Sequence, residues 1–214
     1  TISQLSSPLF SFELSVPGDP STAAFFAAGS AIVPNSEIIL NRVLRNPTRI
    51  GFYGALQKMG AGMDCLEQWE EAGEAIGKLK VFQQPLNAIT ITKDDVPGLV
   101  DELPILAILA TQAKGKTEVR GAEELRVKEC DRIHAVCKNL KNMGADIEEL
   151  DDGFIIKGPT PLKGARIETF HDHRIAMAFT IAGLVSDGDV VLDHPECASI
   201  SYPEFYDELE RLKQ

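Results

Sequence analysis

Three segments that are apolar on nearly every side place the strongest constraint on how this chain can fold. They cover residues 21–33, 104–113 and 175–185, and small residues, alanine above all, are frequent in them. A helix that is apolar all round is buried on every side rather than lying on a surface. We therefore predict three closely packed helices at the centre of the fold.

An aspartate precedes each of these segments. The three are Asp19, Asp101 and Asp172. Aspartate before an apolar helix is a typical N-cap, and Pro20 falls at the favoured first helical position. The sequence therefore predicts that each central helix begins with a capping aspartate.

The residues after each central segment also follow one order. A short strand is predicted at 37–40, 117–120 and 189–192, and an amphipathic helix follows each strand. Recurrence at a fixed spacing indicates a structural repeat. The spacings are 30 residues from Asp19 to Arg49, 31 from Asp101 to Arg132 and 30 from Asp172 to Tyr202.

The first two repeats continue alike beyond the amphipathic helix. Those helices end in Met59-Gly60-Ala61 and Met143-Gly144-Ala145, where we interpret the glycines as C-caps. Two further strands follow each, around 63–66 and 80–83 and then around 146–150 and 154–157. No such pair follows the third amphipathic helix, so we interpret the third unit as incomplete.

Together these patterns predict an α/β (α+β) domain with pseudo-threefold symmetry. Its βαβαββ units place three parallel helices at the centre and small sheets outside. The units cover about 12–85, 86–158 and 159–214, so that residues 12–214 form one globular domain. Residues 1–11, with four serines and one proline, are predicted to be a linker or hinge from an absent half of the protein.

Parallel central helices bring three N-termini, with their unpaired N–H groups, to one face. Segment 126–133 lies on that face and carries Arg126, Lys128 and Arg132, which we place in the first turn of the second amphipathic helix. Cations oppose the helix dipole there, and a bound anion would explain them. The simpler alternative is a solvated, salt-bridged helix start.

Composition narrows the class of partner. The chain has 21 Lys and Arg against 32 Asp and Glu, a net charge of −11, which argues against nucleic acids and membrane surfaces. The four cysteines fit no metal-binding spacing, and His171 and His173 are too close for a helical metal pair. No signal peptide or apolar run of ~20 residues is visible, so we expect a soluble, cytoplasmic protein.

Two segments carry a resemblance to a known family. Residues 126–133 and 172–177 resemble the signature segments of the 3-phosphoshikimate 1-carboxyvinyltransferase (EPSP synthase) family, and residues 17–21 and 101–104 fit it too. The resemblance runs from about Val16 to the end but covers only the second half of the family's usual length. It implies the enolpyruvyl transferase fold, in which two domains of three units each close on substrates between them.

The resemblance also implies a reaction. The family transfers the enolpyruvyl group of phosphoenolpyruvate to the 5-hydroxyl of shikimate 3-phosphate and releases phosphate, a step of the shikimate pathway to aromatic amino acids. It needs no metal or organic cofactor. The implied partner of this chain is the N-terminal half of the same enzyme, without which we expect the chain to be inactive.

By motif position, the resemblance assigns a role to six residues. It implies that Arg132 and Arg174 bind phosphoenolpyruvate beside His173. It further implies that Asp101 is the proton acceptor and that Glu129 is the acid serving the methylene carbon. Lys128 would contact the shikimate phosphate and serve as a possible proton partner. Purely structural alternatives are an N-cap for Asp101 and a capping box or ion pair for Glu129.

The chain departs from the family pattern at three positions. Cys130 stands where Thr or Ser is usual, a near-isosteric change that we expect to be neutral. Glu124 replaces an Asn that contacts the shikimate ring in many members, and Ile200 replaces a lysine that touches phosphoenolpyruvate in many. Two other functions stay open, namely a non-catalytic anion-binding half-domain and a UDP-N-acetylglucosamine carboxyvinyltransferase.

Overall fold

The computed structural model describes Ser11 and residues 13–213. The linker predicted for residues 1–11 therefore lies almost wholly outside the described residues. In chain order the helices and strands are α1 (Pro20–Ile32), β1 (Glu37–Leu44), α2 (Gly51–Lys58), β2 (Gly62–Glu71), β3 (Glu74–Phe82), β4 (Thr90–Ile91), α3 (Leu103–Gln112), β5 (Gly115–Val119), α4 (Arg132–Asn142), β6 (Asp146–Leu150), β7 (Gly153–Gly158), β8 (Arg166–Ile167), α5 (His173–Gly183), β9 (Val191–Leu192) and α6 (Phe205–Leu212).

The three apolar segments form α1, α3 and α5, each within two residues of the predicted bounds, and these helices pack on one another. Nearly every residue of α3 is buried, which explains its lack of a polar face. The packing leaves room for one further methyl group at Gly29. A Cβ added to Gly29 of α1 would lie 3.5 Å from the Ile181 side chain of α5. The prediction of three buried central helices is confirmed.

Three separate sheets surround the central helices. The first has the order β1-β3-β2 and is antiparallel, and the second has the order β4-β5-β7-β6 with β4 parallel to β5. The third is the parallel pair β8-β9. Among the described residues no strand precedes α1, and a single parallel bridge from Gly18 to Val43 stands there instead. The leading strand predicted from residue 12 was therefore wrong in this first region.

Glycine ends the second helices of the first two regions as predicted. The C-caps are Met59 and Met143, and the next residues, Gly60 and Gly144, have φ of 92° and 85°. A side chain at such φ values costs energy that glycine avoids. These turns lead α2 into β2 and α4 into β6.

The third region is built differently. After β9, a short 3-10 helix (Pro195–Ile200) leads to α6, whose Phe205 packs against Phe25 and Phe26 of α1. No strand follows α6 within the described part of the chain. No helix among those residues is long and apolar enough to cross a membrane.

Candidate active site

The starts of the central helices meet on one side of the fold, as the repeat predicts. Arg174 in the first turn of α5 donates to the backbone oxygen of Asp101, just before α3, at 3.2 Å. Another arginine, Arg132 at the first position of α4, donates to carboxylates beside both helices. These contacts bring residues far apart in sequence into one cluster.

Asp172 anchors the cluster. Its Oδ1 accepts from the backbone N–H groups of Arg174 at 2.8 Å and Ile175 at 3.3 Å, so Asp172 is the N-cap of α5. The residue is fully buried, and its Oδ2 accepts from Arg132 Nε at 2.8 Å. Burial alone would raise the pKa of Asp172, but the Arg132 hydrogen bonds hold it below its usual range.

Arg132 is the most constrained charge in the site. Its side chain is only 1% exposed and donates to three carboxylates, those of Asp172, Glu129 at 2.6 Å and Asp101 at 3.2 Å. Although burial opposes its charge, the bonds to Asp172 raise the pKa of Arg132. Four of the five N–H groups of the guanidinium therefore donate to carboxylates, so an anion that makes a forked contact with it has to displace at least one of them.

The first turn of α4 does not hold the three cations predicted from the sequence. Asp131 is its N-cap, accepting from the His134 N–H at 2.9 Å, and Arg132 is the one predicted cation inside the helix. Lys128 lies before the helix. Arg126 points away and bonds to Asp131, to Glu149 and to two backbone oxygens.

Asp101 is not an N-cap, which corrects both the predicted set of three capping aspartates and its structural alternative. It lies within a short 3-10 helix (Val100–Glu102), and no side chain caps α3. Its carboxylate instead faces three cations, with Arg132 at 3.2 Å, Arg174 at 3.3 Å and Lys128 Nζ at 3.9 Å. Asp101 is thus the carboxylate that Lys128, Arg132 and Arg174 share.

Glu129 also departs from its structural alternative. It precedes α4 and accepts from Arg132 Nη2, while Asp131 provides the cap, so a capping-box role for Glu129 is wrong and an ion-pair role is present. Its side chain is 51% exposed. Glu129 can therefore leave Arg132 for solvent or a ligand more easily than Asp172 can.

His173 lies beside Arg174 at the start of α5. It is buried, and its Nδ1 has no hydrogen-bond partner among the described residues. Burial lowers the pKa of His173, so the ring is neutral at pH 7. A neutral imidazole can donate or accept one hydrogen bond but adds no charge for an anion.

Every cation of the cluster already contacts a carboxylate in the structure, and the anion-binding face stays a prediction. The cations Lys128, Arg132 and Arg174 all contact carboxylates, and Lys128 Nζ also lies 2.9 Å from Glu124. The helix N-termini remain favourable for anions. An incoming anion must therefore exchange with carboxylates or bring further cations to the site.

The three departures from the family pattern have distinct surroundings. Cys130 Sγ lies 3.6 Å from Asp172 Oδ2, and burial, then Asp172, raises the pKa of this thiol to about 12. It therefore stays protonated. Glu124 is exposed and pairs with Lys128, and Ile200 is 70% exposed.

Sequence reasoning missed two residues of the cluster. Asp172 was interpreted only as a cap, although its place directly before His173 and Arg174 was a signal for more. Glu102, buried beside Arg174, was not singled out at all. The available signal was a second acidic residue immediately before an apolar helix.

The chain is similar to known proteins of one family. The family model described as EPSP synthase (3-phosphoshikimate 1-carboxyvinyltransferase) matches residues 5–209. The 3-phosphoshikimate 1-carboxyvinyltransferase of Persephonella marina is 50% identical over 208 residues, covering 97% of this chain and 48% of that protein. The corresponding Aquifex aeolicus protein is 48% identical over 198 residues, covering 92% and 46%.

Solved structures show the same likeness. An EPSP synthase from Acinetobacter baumannii superposes with a TM-score of 0.89 at 40% identity, covering 92% of this chain and 46% of that one. The enolpyruvyl transferase NikO from Streptomyces tendae, at 17% identity and a TM-score of 0.67, shares the fold. The chain spans about half the length of the curated relatives it matches. It belongs to the EPSP synthase (3-phosphoshikimate 1-carboxyvinyltransferase) family.

Proposed function

We propose that this chain supplies one half of the active site of an enzyme that transfers the enolpyruvyl group of phosphoenolpyruvate to the 5-hydroxyl of shikimate 3-phosphate. One observation carries the proposal. Three cations, Lys128, Arg132 and Arg174, converge on one carboxylate, Asp101, at the joined helix starts. The reaction needs cations for two anionic substrates and a carboxylate for a hydroxyl proton.

Arg132 and Arg174 bind phosphoenolpyruvate in this proposal. Forked guanidinium groups suit phosphate and carboxylate oxygens, and both keep their charge at any working pH. The exposed Glu129 releases Arg132 Nη2 when the substrate binds, while the buried Asp172 keeps its hydrogen bond to Arg132 Nε. His173 adds a hydrogen bond from a neutral ring.

The acid–base roles fall to Asp101, Glu129 and Lys128. Asp101 accepts the proton of the 5-hydroxyl as the oxygen attacks the central carbon of phosphoenolpyruvate. Once it has left Arg132, the exposed Glu129 takes a proton from solvent and delivers it to the methylene carbon. The later elimination returns that proton from the methyl group to Glu129 and expels phosphate. Lys128, 3.9 Å from Asp101, contacts the shikimate phosphate and can take part in the proton transfer.

We also propose the organisation of the whole enzyme. Residues 12–214 form its C-terminal globular domain, and residues 1–11 are the linker. The N-terminal half supplies further cationic side chains for the substrates. The whole enzyme is cytoplasmic. The ion pairs of the cluster support this arrangement, because each of the described cations already contacts a carboxylate and the carboxylates outnumber the cations. A module that only held an anion would not need Asp101 and Glu129 beside its arginines.

A chimaera tests the proposal. The N-terminal half of the Persephonella marina relative is fused ahead of this chain, and phosphate release from phosphoenolpyruvate and shikimate 3-phosphate is measured. We expect turnover by the chimaera and none by the chain alone. A folded chimaera that binds both substrates without releasing phosphate would overturn the proposed reaction.

Two variants of the chimaera separate binding from proton transfer. Arg174→Ala should weaken phosphoenolpyruvate binding by about 2–5 kcal/mol, the usual loss for one partner of a desolvated charge pair. Glu129→Gln should depress the rate with binding largely kept, since only proton transfer is removed. Equal loss of affinity in both variants would assign Glu129 to electrostatic support instead.

A further inference from the structure

Glu102 is a buried carboxylate with an unused oxygen beside the site. The residue is 4% exposed and follows Asp101 directly. Among the described residues its Oε1 has no hydrogen-bond partner, and Arg174 Nη1 lies 3.7 Å away. That separation is just longer than a hydrogen bond, so a small movement of either side chain would join them.

An unpaired buried carboxylate is costly. Burial raises the pKa of Glu102, opposed in part by the hydroxyl of Ser21 and by Arg174. Asp101 raises it further, and Arg49 lowers it. A hydrogen bond from Arg174 would satisfy the free oxygen.

The start of α1 packs beside Glu102 and is itself well ordered. The Ser21 hydroxyl accepts from Arg49 Nη2 at 3.2 Å, and Arg49 also pairs with Asp19 at 2.9 Å. The buried hydroxyl of Tyr53 donates to the Pro20 oxygen at 2.9 Å. These contacts fix the helix start against which Glu102 is buried.

Among the described residues, Asp101 alone accepts hydrogen bonds from the Arg174 side chain. Nη1 donates to the Asp101 backbone oxygen at 3.2 Å and Nη2 to its carboxylate at 3.3 Å. In the proposed function Asp101 must turn to a substrate hydroxyl. Arg174 would then lose its carboxylate partner at the moment when it has to hold an anion.

We propose that Glu102 is a positioning residue for Arg174, holding the guanidinium from behind so that it can leave the Asp101 carboxylate for an anionic ligand. The inference rests on the proposed role of Arg174 as a substrate ligand. Glu102 itself does not touch the substrate. It acts by limiting the directions in which the Arg174 side chain can point.

The test uses the 214-residue chain with sulfate as the probe, because sulfate keeps its charge across the working pH range. Sulfate affinity is measured by titration, and the order of the Arg174 side chain by the NMR signal of its Nε–H group. Glu102→Ala should broaden or abolish that signal and weaken sulfate binding about tenfold, as expected when a charged ligand is misplaced. Glu102→Gln, whose amide oxygen can still accept from Nη1, should keep both.

A double-mutant cycle shows whether the effect passes through Arg174. In the Arg174→Ala background, Glu102→Ala should change sulfate affinity no further. An equal loss with and without Arg174 would overturn the proposal, and so would an unchanged Nε–H signal in Glu102→Ala. If sulfate binding is too weak to measure, the Nε–H signal of Arg174 in Glu102→Ala alone tests the proposal.

Glu102→Asp serves if the Ala variant does not fold. It keeps the charge but withdraws the oxygen from Arg174, so it should lose the Nε–H signal as the Ala variant does. A retained signal would count against positioning. None of these measurements involves turnover, so their failure is distinct from failure of the chimaera.

Discussion

The starts of α1 and α5 have the same kind of aspartate cap, but the ion pair that each cap makes differs in burial. Asp19 caps α1 by accepting from the Thr22 N–H at 2.9 Å, and its other oxygen pairs with Arg49 at 2.9 Å. Both partners are about half exposed, at 46% and 49%. Asp172 caps α5 in the same way, but it and its partner Arg132 are at most 1% exposed.

The spacing of the repeat explains the difference. Arg49 follows Asp19 by 30 residues and Arg132 follows Asp101 by 31, whereas Tyr202 stands 30 residues after Asp172. At the matching position of its own region Asp172 has this tyrosine instead of an arginine, and it binds Arg132 of the preceding region. One repeated position has thus become a surface ion pair in the first region and a buried link between regions at the candidate site.

Asp172→Ala should have the largest effect on stability. Removing the buried partner leaves Arg132 with only the partly exposed carboxylates of Asp101 and Glu129, which costs about 3–5 kcal/mol. Asp19→Ala is the matched control and should cost about 0.5–2 kcal/mol, since it loses a cap and a surface pair. Urea unfolding of both variants measures the free energies.

Equal losses in the two variants would break the comparison. They would mean that the burial of Asp172 and Arg132 contributes nothing beyond the cap. Circular dichroism of each variant before unfolding checks that both start from a folded state, and a shared slope against urea keeps the comparison valid.

The same contrast predicts a pH dependence. Because its bonds to Arg132 hold the pKa of Asp172 below the ordinary value, its contribution is present above about pH 4 and is lost as pH falls through the lowered pKa. The wild-type free energy of unfolding should fall in acid, and the fall should be shallower for Asp172→Asn. Identical acid slopes would show that Asp172 is not the group concerned.

The sequence predicted what depends on local pattern. All-round apolarity predicted α1, α3 and α5, and the glycines after Met59 and Met143 predicted where two helices end. Helix burial and turn conformation are properties of short segments, so a single chain reveals them. The meeting of the helix starts followed from the repeat.

Contacts between distant residues could not be predicted in the same way. The carboxylate of Asp101 had a local explanation as a cap, yet it serves arginines 31 and 73 residues away. Likewise the burial of Arg132 depends on three carboxylates from different segments. The sequence showed which charged residues lie at the site but not which of them form ion pairs with one another.

The outer sheets extend the comparison of the first and third regions. The first sheet has three strands, whereas β8 and β9 pair only with each other among the described residues. A two-stranded sheet has few hydrogen bonds and exposed edges, so it opens more readily. The amide hydrogens of Val191 and Asp193, which donate to Ala165 and Ile167, should exchange roughly tenfold faster than those of Leu79 and Val81 in β3. Equal protection would show that packing on the central helices, not strand number, sets local stability.

The smallest effect is expected at Cys130, which touches the buried cap of α5. Its thiol lies 3.6 Å from Asp172 Oδ2, so a serine hydroxyl there keeps an acceptor, and Cys130→Ser should change stability by less than about 1 kcal/mol.

The matched control is Cys137→Ser on α4. Cys137 is fully buried and no described residue accepts a hydrogen bond from it, so a hydroxyl there should cost about 1–3 kcal/mol. Urea unfolding compares the two. A larger loss at Cys130 than at Cys137 would mean that the pocket around Asp172 and Arg132 tolerates no change in the length or direction of this bond, and that the cap is more tightly packed than its polar contacts indicate.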